Sequence, residues 1–229
     1  LGFLVLIHEG GHFLFAKLCK IKVNEFAIGF GPTIWKKQTK ETKYALRAIP
    51  LGGFVNMEGE EKKAETEGSF SEASILKRII IVAAGGLVNI LFGLLLYFIL
   101  LTTLTSVYNA LLGTWDFAIS IIDSLKILFT GQQQMNQLIG PVGISGIISN
   151  TSGFQEYIYI LSVISLSLGV TNLLPFPPLD GGKILLLLVE GIRRKPLKED
   201  FEIKVQMLGF AALIVLSIFV TYNDILKVF

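Results

Sequence analysis

Long apolar stretches dominate this sequence and limit the folds that are open to it. A helix that crosses the hydrocarbon core of a bilayer needs about 20 mostly apolar residues. Three stretches have that length: residues 79–104, residues 156–189 with a break near 175–181, and residues 205–222. A further apolar run covers residues 1–18. The sequence therefore predicts an all-α polytopic membrane protein with about four transmembrane helices.

The composition supports a lipid environment and excludes several other classes of protein. Hydrophobic residues make up 52% of the chain and charged residues 17%, whereas soluble domains carry about 25% charged residues. The net charge is only +2, and no basic run with interleaved aromatic residues is present. We therefore expect no binding of nucleic acid. The single Cys19 excludes an internal disulfide and a multi-cysteine zinc module.

The distribution of basic residues predicts how the chain is oriented in the membrane. Lys and Arg are enriched in cytoplasmic loops close to the membrane. They concentrate between residues 17 and 78 and again between residues 183 and 204, whereas residues 105–137 contain only Lys126. With four spans, the two basic connections lie on the same side. Both are therefore predicted to be cytoplasmic, with both termini outside.

The long connection between the first two spans contains β-type sequence. Residues 23–30, 44–49 and 54–57 are short strand-like runs separated by glycine and proline. They predict a small membrane-associated β-hairpin element within residues 22–58. Residues 59–74 are acidic, rich in lysine and almost free of bulky apolar side chains, which predicts a flexible solvated loop.

A second connection, between the second and third spans, contains a helical pattern. Residues 115–129 have apolar side chains at helical spacing. An amphipathic helix of this kind is typical of a segment that lies in the membrane interface.

The first apolar run contains a motif with a chemical meaning. His8, Glu9 and His12 fit the pattern H-E-x-x-H, in which the two imidazoles lie on one helical face and bind a single metal ion. Glu9 then acts as the base for a metal-activated water, as in zinc hydrolases. Ionisable residues within a membrane span indicate a functional site by default. The alternative is a set of polar residues that neighbouring helices merely satisfy.

A third ligand is required, because a catalytic zinc keeps three protein ligands and one open position. The chain has only two histidines, so the third ligand is Asp, Glu or Cys19. Asp180 is the best candidate, since three prolines interrupt the apolar sequence just before it. Irregular backbone at membrane depth is tolerated only against protein or a water-filled cavity. Glu190 is the nearest rival, and an interfacial Asp180 at a kinked helix end is the alternative interpretation.

The combination of HEGGH at residues 8–12 with NLLPFPPLDGG at residues 172–182 resembles the site-2 protease family of intramembrane zinc metalloproteases, of the bacterial regulator-of-sigma-E type. Four further stretches agree in order: GFGP at 29–32, PLGGFV at 50–55, AGGLVN at 84–89 and GPVG at 140–143. The resemblance implies one Zn²⁺ per chain, held by His8, His12 and Asp180. It also implies that Glu9 is the catalytic base and that Asn172 positions substrate or stabilises the oxyanion.

The resemblance also implies the substrate and the location. Residues 1–229 would form a single intramembrane metalloprotease domain in the bacterial inner membrane, with the active site towards the cytoplasm. Its partner would be the transmembrane helix of a single-span protein, such as an anti-sigma factor or a signal-peptide remnant. An upstream site-1 protease would act first on the same substrate. A membrane-reentrant β-hairpin would hold the substrate extended, with these candidate substrate-binding residues: Tyr44, Ala45, Leu46, Gly52, Gly53, Phe54 and Asn89.

The sequence departs from the family pattern at two places, and two other functions are possible for the same residues. Gly86 replaces a usual proline, and residues 105–137 are too short for the PDZ domain that members of this type carry there. A metal-binding membrane transporter would use the same ligands, but it needs polar groups through both leaflets. A helix-binding scaffold that does not cleave is the second rival. The transporter leaves Glu9 without an evident purpose, and the intact ligand set argues against the scaffold.

Overall fold

The computed structural model describes residues 2–60, 64, 66–130, 146, 148–149 and 151–228. It is mostly helical, with a small β element between the first two helices, as predicted. The elements in chain order are α1 (Gly2–Leu18), β1 (Val23–Gln38), β2 (Lys43–Met57), α2 (Ile75–Thr102), α3 (Val107–Thr130), α4 (Phe154–Asn172), α5 (Asp180–Arg193) and α6 (Glu199–Val228). The GPVG stretch at 140–143 lies outside the described residues.

Three helices in the described part of the chain have the length and hydropathy of membrane spans. They are α2, α4 and the Glu199–Tyr222 portion of α6. Helices of this length and hydropathy are typical of an integral membrane protein. The predicted count of four is not confirmed, because α1, with 17 described residues, is not among these candidate spans. A span at α1, and the orientation that depends on it, stay predictions.

Helix α3 extends further than the sequence pattern indicates. It runs from Val107 to Thr130, whereas the apolar spacing predicts a helix only over residues 115–129. Trp115, Leu111 and Tyr108 are among its exposed apolar and aromatic side chains. Such a face suits the membrane interface, and the location of α3 there stays a prediction.

The chain forms two compact units, and the candidate site lies entirely in the first. The first unit is Leu1–Ile90 with Leu168–Met207, and the second is Leu91–Ser167 with Leu208–Phe229. In the second unit, a Cβ added at Gly93 would lie 2.8 Å from the Ser162 carbonyl oxygen. Small residues allow helices to approach this closely in membranes. The same unit contains a stacked pair of Tyr97 and Phe117, with ring centroids 4.2 Å apart.

In the first unit, α2 and α4 meet at glycines. A Cβ added at Gly86 would lie 2.8 Å from the Gly169 carbonyl oxygen and 2.7 Å from the Leu173 Cγ. Helix α2 continues through Gly86 to Thr102. Gly86, which stands where the resembling family usually has proline, therefore lies at a close helix contact within an unbroken helix.

Strands β1 and β2 form one antiparallel sheet with an irregular register. Both strands bend at glycines in the left-handed region, Gly29 and Gly31 in β1 and Gly52 in β2, which other residues rarely adopt. The three short strand-like runs of the sequence are thus parts of two longer, bent strands.

The bends give the sheet four segments. Residues 23–28 pair with 53–57 on one side and with 43–46 on the other, and residues 33–38 pair with 43–47. The segments therefore lie in the order 53–57, 23–28, 43–47 and 33–38. Residues 53–57 form one edge of the sheet, and residues 44–46 lie in its interior.

The connection after β2 differs from the prediction of a solvated loop at 59–74. Phe70 is buried and packs in a core cluster with Val23, Met57 and Ile81. Its N–H donates to the Glu58 carbonyl oxygen at 2.6 Å, and the Glu58 N–H donates to Lys22 at 2.9 Å. The prediction does not hold at Phe70, because one large apolar side chain is enough to anchor an otherwise polar connection.

Candidate metal centre

Helix α1 presents two imidazoles on one face. His8 and His12 are separated by one helical turn, and both are buried, with relative exposures of 8% and 9%. Their ring centroids lie 4.7 Å apart, and their Nε2 atoms are separated by 3.2 Å. The spacing of four residues therefore brings both Nε2 atoms to one point, as the sequence pattern predicts.

Asp180, far from the two histidines in sequence, places its carboxylate beside their Nε2 atoms. Its Oδ2 atom lies 3.1 Å from His8 Nε2 and 3.3 Å from His12 Nε2. Asp180 is the first residue of α5, directly after the proline-rich stretch. Within the described residues, these three side chains form the group of His, Cys, Asp or Glu residues suited to holding a metal ion.

The proline-rich stretch forms a tight loop because the two glycines after Asp180 leave room for it. A Cβ at Gly182 would lie 2.6 Å from the Pro177 nitrogen, and a Cβ at Gly181 would overlap the Leu173 carbonyl oxygen. The Leu179 N–H donates to the Phe176 carbonyl oxygen at 2.9 Å. This DGG sequence lets α5 begin against its own preceding loop, which places the Asp180 carboxylate at the histidines.

Helix α2 supplies the third wall of the site. The Nδ1 atom of His12 lies 2.9 Å from the Ile81 carbonyl oxygen, so Nδ1 carries the proton and donates it to this acceptor. In the neutral ring, Nε2 then keeps its lone pair for a metal ion. A Cβ at Gly85, one turn along α2, would overlap the His12 Nε2 atom. The sequence does not reveal the Ile81 contact, because any residue offers a backbone carbonyl.

The three ligand atoms fit a zinc ion. Ligand atoms held tetrahedrally at the usual zinc distances of about 2.0 to 2.1 Å lie about 3.3 Å from one another. The observed separations are 3.1, 3.2 and 3.3 Å. The Asp180 Oδ2 atom is withdrawn from solvent and has no hydrogen-bond partner among the described residues, and a cation between the three ligand atoms would satisfy it.

Glu9 adjoins the centre without belonging to the ligand triad. It is half-buried, and it follows His8 directly in α1. A Cβ added at Gly53 would lie 3.3 Å from Glu9 Cγ. The edge segment 53–57 of the sheet therefore begins directly beside Glu9.

Glu190, the rival third ligand, has a different partner. It forms a buried ion pair with Arg78 of α2, and it lies at the far end of α5 from Asp180. The geometry therefore assigns the third ligand position to Asp180. Cys19, the other alternative, is half-buried after the end of α1.

The residues predicted to bind substrate or assist catalysis lie on α2, at the end of α4 and in the sheet. Asn89 is completely buried on α2, and Asn172 is the half-buried last residue of α4. Phe54 carries the Arg47 guanidinium over its ring at 4.9 Å. Residues 44–46 pair with β1 on both sides. Tyr44, Ala45 and Leu46 therefore have no free strand edge of their own, whereas residues 53–57 do. The role of the predicted residues in substrate binding stays a prediction.

Comparison with known proteins places the site in a family. The sequence matches Peptidase family M50 over residues 1–216. It is 30% identical to a candidate zinc metalloprotease of Clostridium acetobutylicum, over 98% of this chain and 94% of the relative. It is 28% identical to one of Fusobacterium nucleatum, over 100% and 97%. The zinc metalloprotease RasP of Shouchella clausii is 44% identical over 50% of this chain and 28% of its own length.

The alignments with the first two relatives extend over 321 and 331 positions, whereas this chain has 229 residues. Part of each relative therefore has no counterpart here. The range matched by the family, residues 1–216, covers His8, Glu9, His12 and Asp180. The chain belongs to Peptidase family M50, the site-2 protease family, and is a membrane zinc metalloendopeptidase.

Proposed function

We propose that this enzyme cleaves the transmembrane segment of single-span membrane proteins in the bacterial inner membrane, with its metal centre towards the cytoplasm. The observation that carries the proposal is the position of Glu9, beside the ligand triad and against the edge of a sheet. A peptide strand on that edge would bring its backbone to the reacting groups. Anti-sigma factors and signal-peptide remnants, first shortened by a site-1 protease, are the proposed substrate classes.

The ligands and Glu9 divide the chemical work. Zinc, when bound by His8, His12 and Asp180, lowers the pKa of a water molecule and polarises the scissile carbonyl. Glu9 accepts a proton from the attacking water and returns it to the departing amine. Asn172 is proposed to hold the substrate or to donate a hydrogen bond to the oxyanion, where preorganised donors act most strongly.

The sheet edge offers a solution to a problem that every helical substrate poses. A peptide bond inside a helix has its carbonyl engaged, and hydrocarbon offers no other partner for backbone groups. We propose that the substrate unwinds and adds as a strand to residues 53–57. Strand addition satisfies the backbone groups of both chains. Gly53, having no side chain, lets that strand come close to Glu9.

The variant Glu9→Gln tests the proposed chemistry. It should retain stoichiometric zinc and lose turnover of a single-span substrate by about 10² to 10⁴-fold, the usual contribution of general acid–base catalysis. The assay is cleavage in detergent or liposomes, with bound zinc measured on the same sample. Glu41→Gln is the matched control, because Glu41 is an exposed glutamate paired with Lys17. Near-normal cleavage by Glu9→Gln would refute Glu9 as the base.

The same measurements separate protease from transporter. If the wild-type protein binds zinc, cleaves no transmembrane substrate and moves zinc across a liposome membrane, the transporter interpretation replaces the proposal. If the wild-type protein binds a substrate helix but neither cleaves it nor transports zinc, the scaffold interpretation replaces the proposal.

A further inference from the structure

Lys183 lies one helical turn after Asp180 on α5 and is held from two directions. Its Nζ atom is 2.5 Å from the Glu60 Oε1 atom, and it lies 5.0 Å from the centroid of the Phe70 ring. Both charged side chains are largely withdrawn from solvent, with relative exposures of 25% and 20%. A charge-assisted hydrogen bond in such a setting is stronger than one on an open surface.

Glu60 also contacts the end of β2. Its Oε2 atom accepts the Met57 N–H at 3.4 Å, while Oε1 accepts from Lys183. Met57 is the last residue of the edge segment that starts at Gly53 beside Glu9. The Glu60 carboxylate therefore joins the first turn of α5, which carries Asp180, to the strand edge that is proposed to receive substrate.

A second ion pair in the same cavity provides a comparison. The cavity has a volume of about 770 Å³, and both pairs line it. Arg78 and Glu190 join the start of α2 to the later part of α5, ten residues beyond Asp180. Both pairs hold α5, but only the Lys183–Glu60 pair engages the turn that carries the ligand.

We propose that the Lys183–Glu60 ion pair is a positioning device for peptide cleavage, which keeps Asp180 aligned with the substrate edge of β2. The inference rests on the proposed function for its substrate edge. Displacement of a reacting group by about 1 Å can cost on the order of 10²-fold in rate. Residues that orient metal ligands typically contribute about 10 to 100-fold in metal affinity or activity. Lys183 and Glu60 act through Asp180 and β2 rather than on the substrate itself.

The test compares Lys183→Met and Glu60→Gln with Glu190→Gln in the full-length protein. The first two variants should weaken zinc affinity, measured by chelator competition, by about 10 to 100-fold. They should lower kcat while leaving KM within about twofold, since uniform substrate binding is not lost. Glu190→Gln should lower thermal stability in detergent and leave zinc affinity unchanged. Lys183→Met keeps an unbranched stem over Phe70, which separates the charge from its packing.

Restoring the pair in other forms completes the test. Lys183→Arg, and the double variant Lys183→Glu with Glu60→Lys, should recover zinc affinity and kcat. The inference is overturned if Lys183→Met and Glu60→Gln match the wild type, if Glu190→Gln produces the same zinc loss, or if the exchanged pair fails to recover. If a single variant does not fold, the exchanged pair decides alone. Absence of cleavage by the wild type would refute the proposed function, whereas the zinc measurements would still judge the ion pair.

Discussion

Gly85 of α2 leaves room for the metal centre because it has no side chain. The His8 and His12 imidazoles occupy the space where a Cβ at this position would lie. Gly11 of α1 faces the same helix, and a Cβ there would lie 2.7 Å from the Ala84 carbonyl oxygen. The glycines of the two helices thus allow the helix approach that lets His12 reach Ile81. At this scale, the site depends on small residues as much as on ligands.

The variant Gly85→Ala should therefore lose zinc, because its methyl group displaces both ligand rings. We expect weaker zinc binding by chelator competition and a parallel loss of cleavage. Gly10→Ala is the matched control, since nothing lies within 4 Å of a Cβ at Gly10. It should keep its zinc, and the added methyl should favour the helix by up to about 1 kcal/mol. Equal zinc affinities in the two variants would contradict this account of Gly85.

Asp180→Ala should remove most of the bound zinc, because two histidines alone leave the ion without its third protein ligand. Glu190→Ala should keep stoichiometric zinc, since Glu190 is engaged by Arg78. It should instead lose roughly 3 to 5 kcal/mol of stability, the usual cost of leaving a buried charge unpaired. Zinc content and thermal unfolding of the purified variants measure the two effects. Zinc loss in Glu190→Ala, with retention in Asp180→Ala, would reassign the ligand.

The two edges of the sheet differ in what lies beside them. Residues 53–57 form the edge next to Glu9, and residues 33–38 form the opposite edge. The exposed apolar side chains of Ile34 and Trp35 belong to the second edge. Both edges can add a strand by backbone hydrogen bonding, but only the first brings an added strand to the catalytic residues. At the scale of elements, the bends at Gly29, Gly31 and Gly52 decide which edge is available at the site.

Cysteine crosslinking distinguishes the two edges. In a Cys19→Ser, Glu9→Gln background, Asn56→Cys should form crosslinks with a cysteine placed near the cleavage position of a single-span substrate. Lys36→Cys, on the opposite edge, should form few. Both positions lie on edge segments of one sheet, so the comparison controls for general proximity to the hairpin. Preferential crosslinking at Lys36 would contradict strand addition beside Glu9.

The whole molecule combines helices with the hydropathy of membrane spans and a metal centre in one chain. If the substrate is a transmembrane helix, as proposed, that helix must open before a peptide bond can reach Glu9. Substrates with residues that weaken a helix should therefore be cleaved faster. Glycine in a helix interior costs about 1 kcal/mol relative to alanine, and proline about 3 kcal/mol.

An Ala→Gly change near the scissile bond of a test substrate should raise kcat/KM by about fivefold, since about 1.4 kcal/mol corresponds to tenfold. The same change at the far end of the span is the control and should have little effect. The measurement is the rate of product formation at equal substrate density in liposomes. Rates that do not respond to the position of the glycine would show that helix opening does not limit the reaction.

The features that follow from short stretches of sequence could be predicted without the structure. The H-E-x-x-H spacing places His8 and His12 on one helical face because an α-helix repeats every 3.6 residues. The prolines before Asp180 mark a helix break because proline lacks an N–H and clashes with the preceding turn. The apolar runs of α2, α4 and α6 indicate spans by their length. Each of these conclusions needs only the local chain.

The tertiary structure alone decided the features that join distant parts of the chain. The register that places residues 44–46 inside the sheet, the Ile81 acceptor for His12 and the pairing of Glu190 with Arg78 all depend on segments far apart in sequence. The Lys183–Glu60 pair likewise connects residues separated by 123 positions. Periodicity reports which face of an element is apolar, but not which atoms meet that face. Those partners are selected when helices and strands pack, because close approach and hydrogen bonding are satisfied only in the assembled fold.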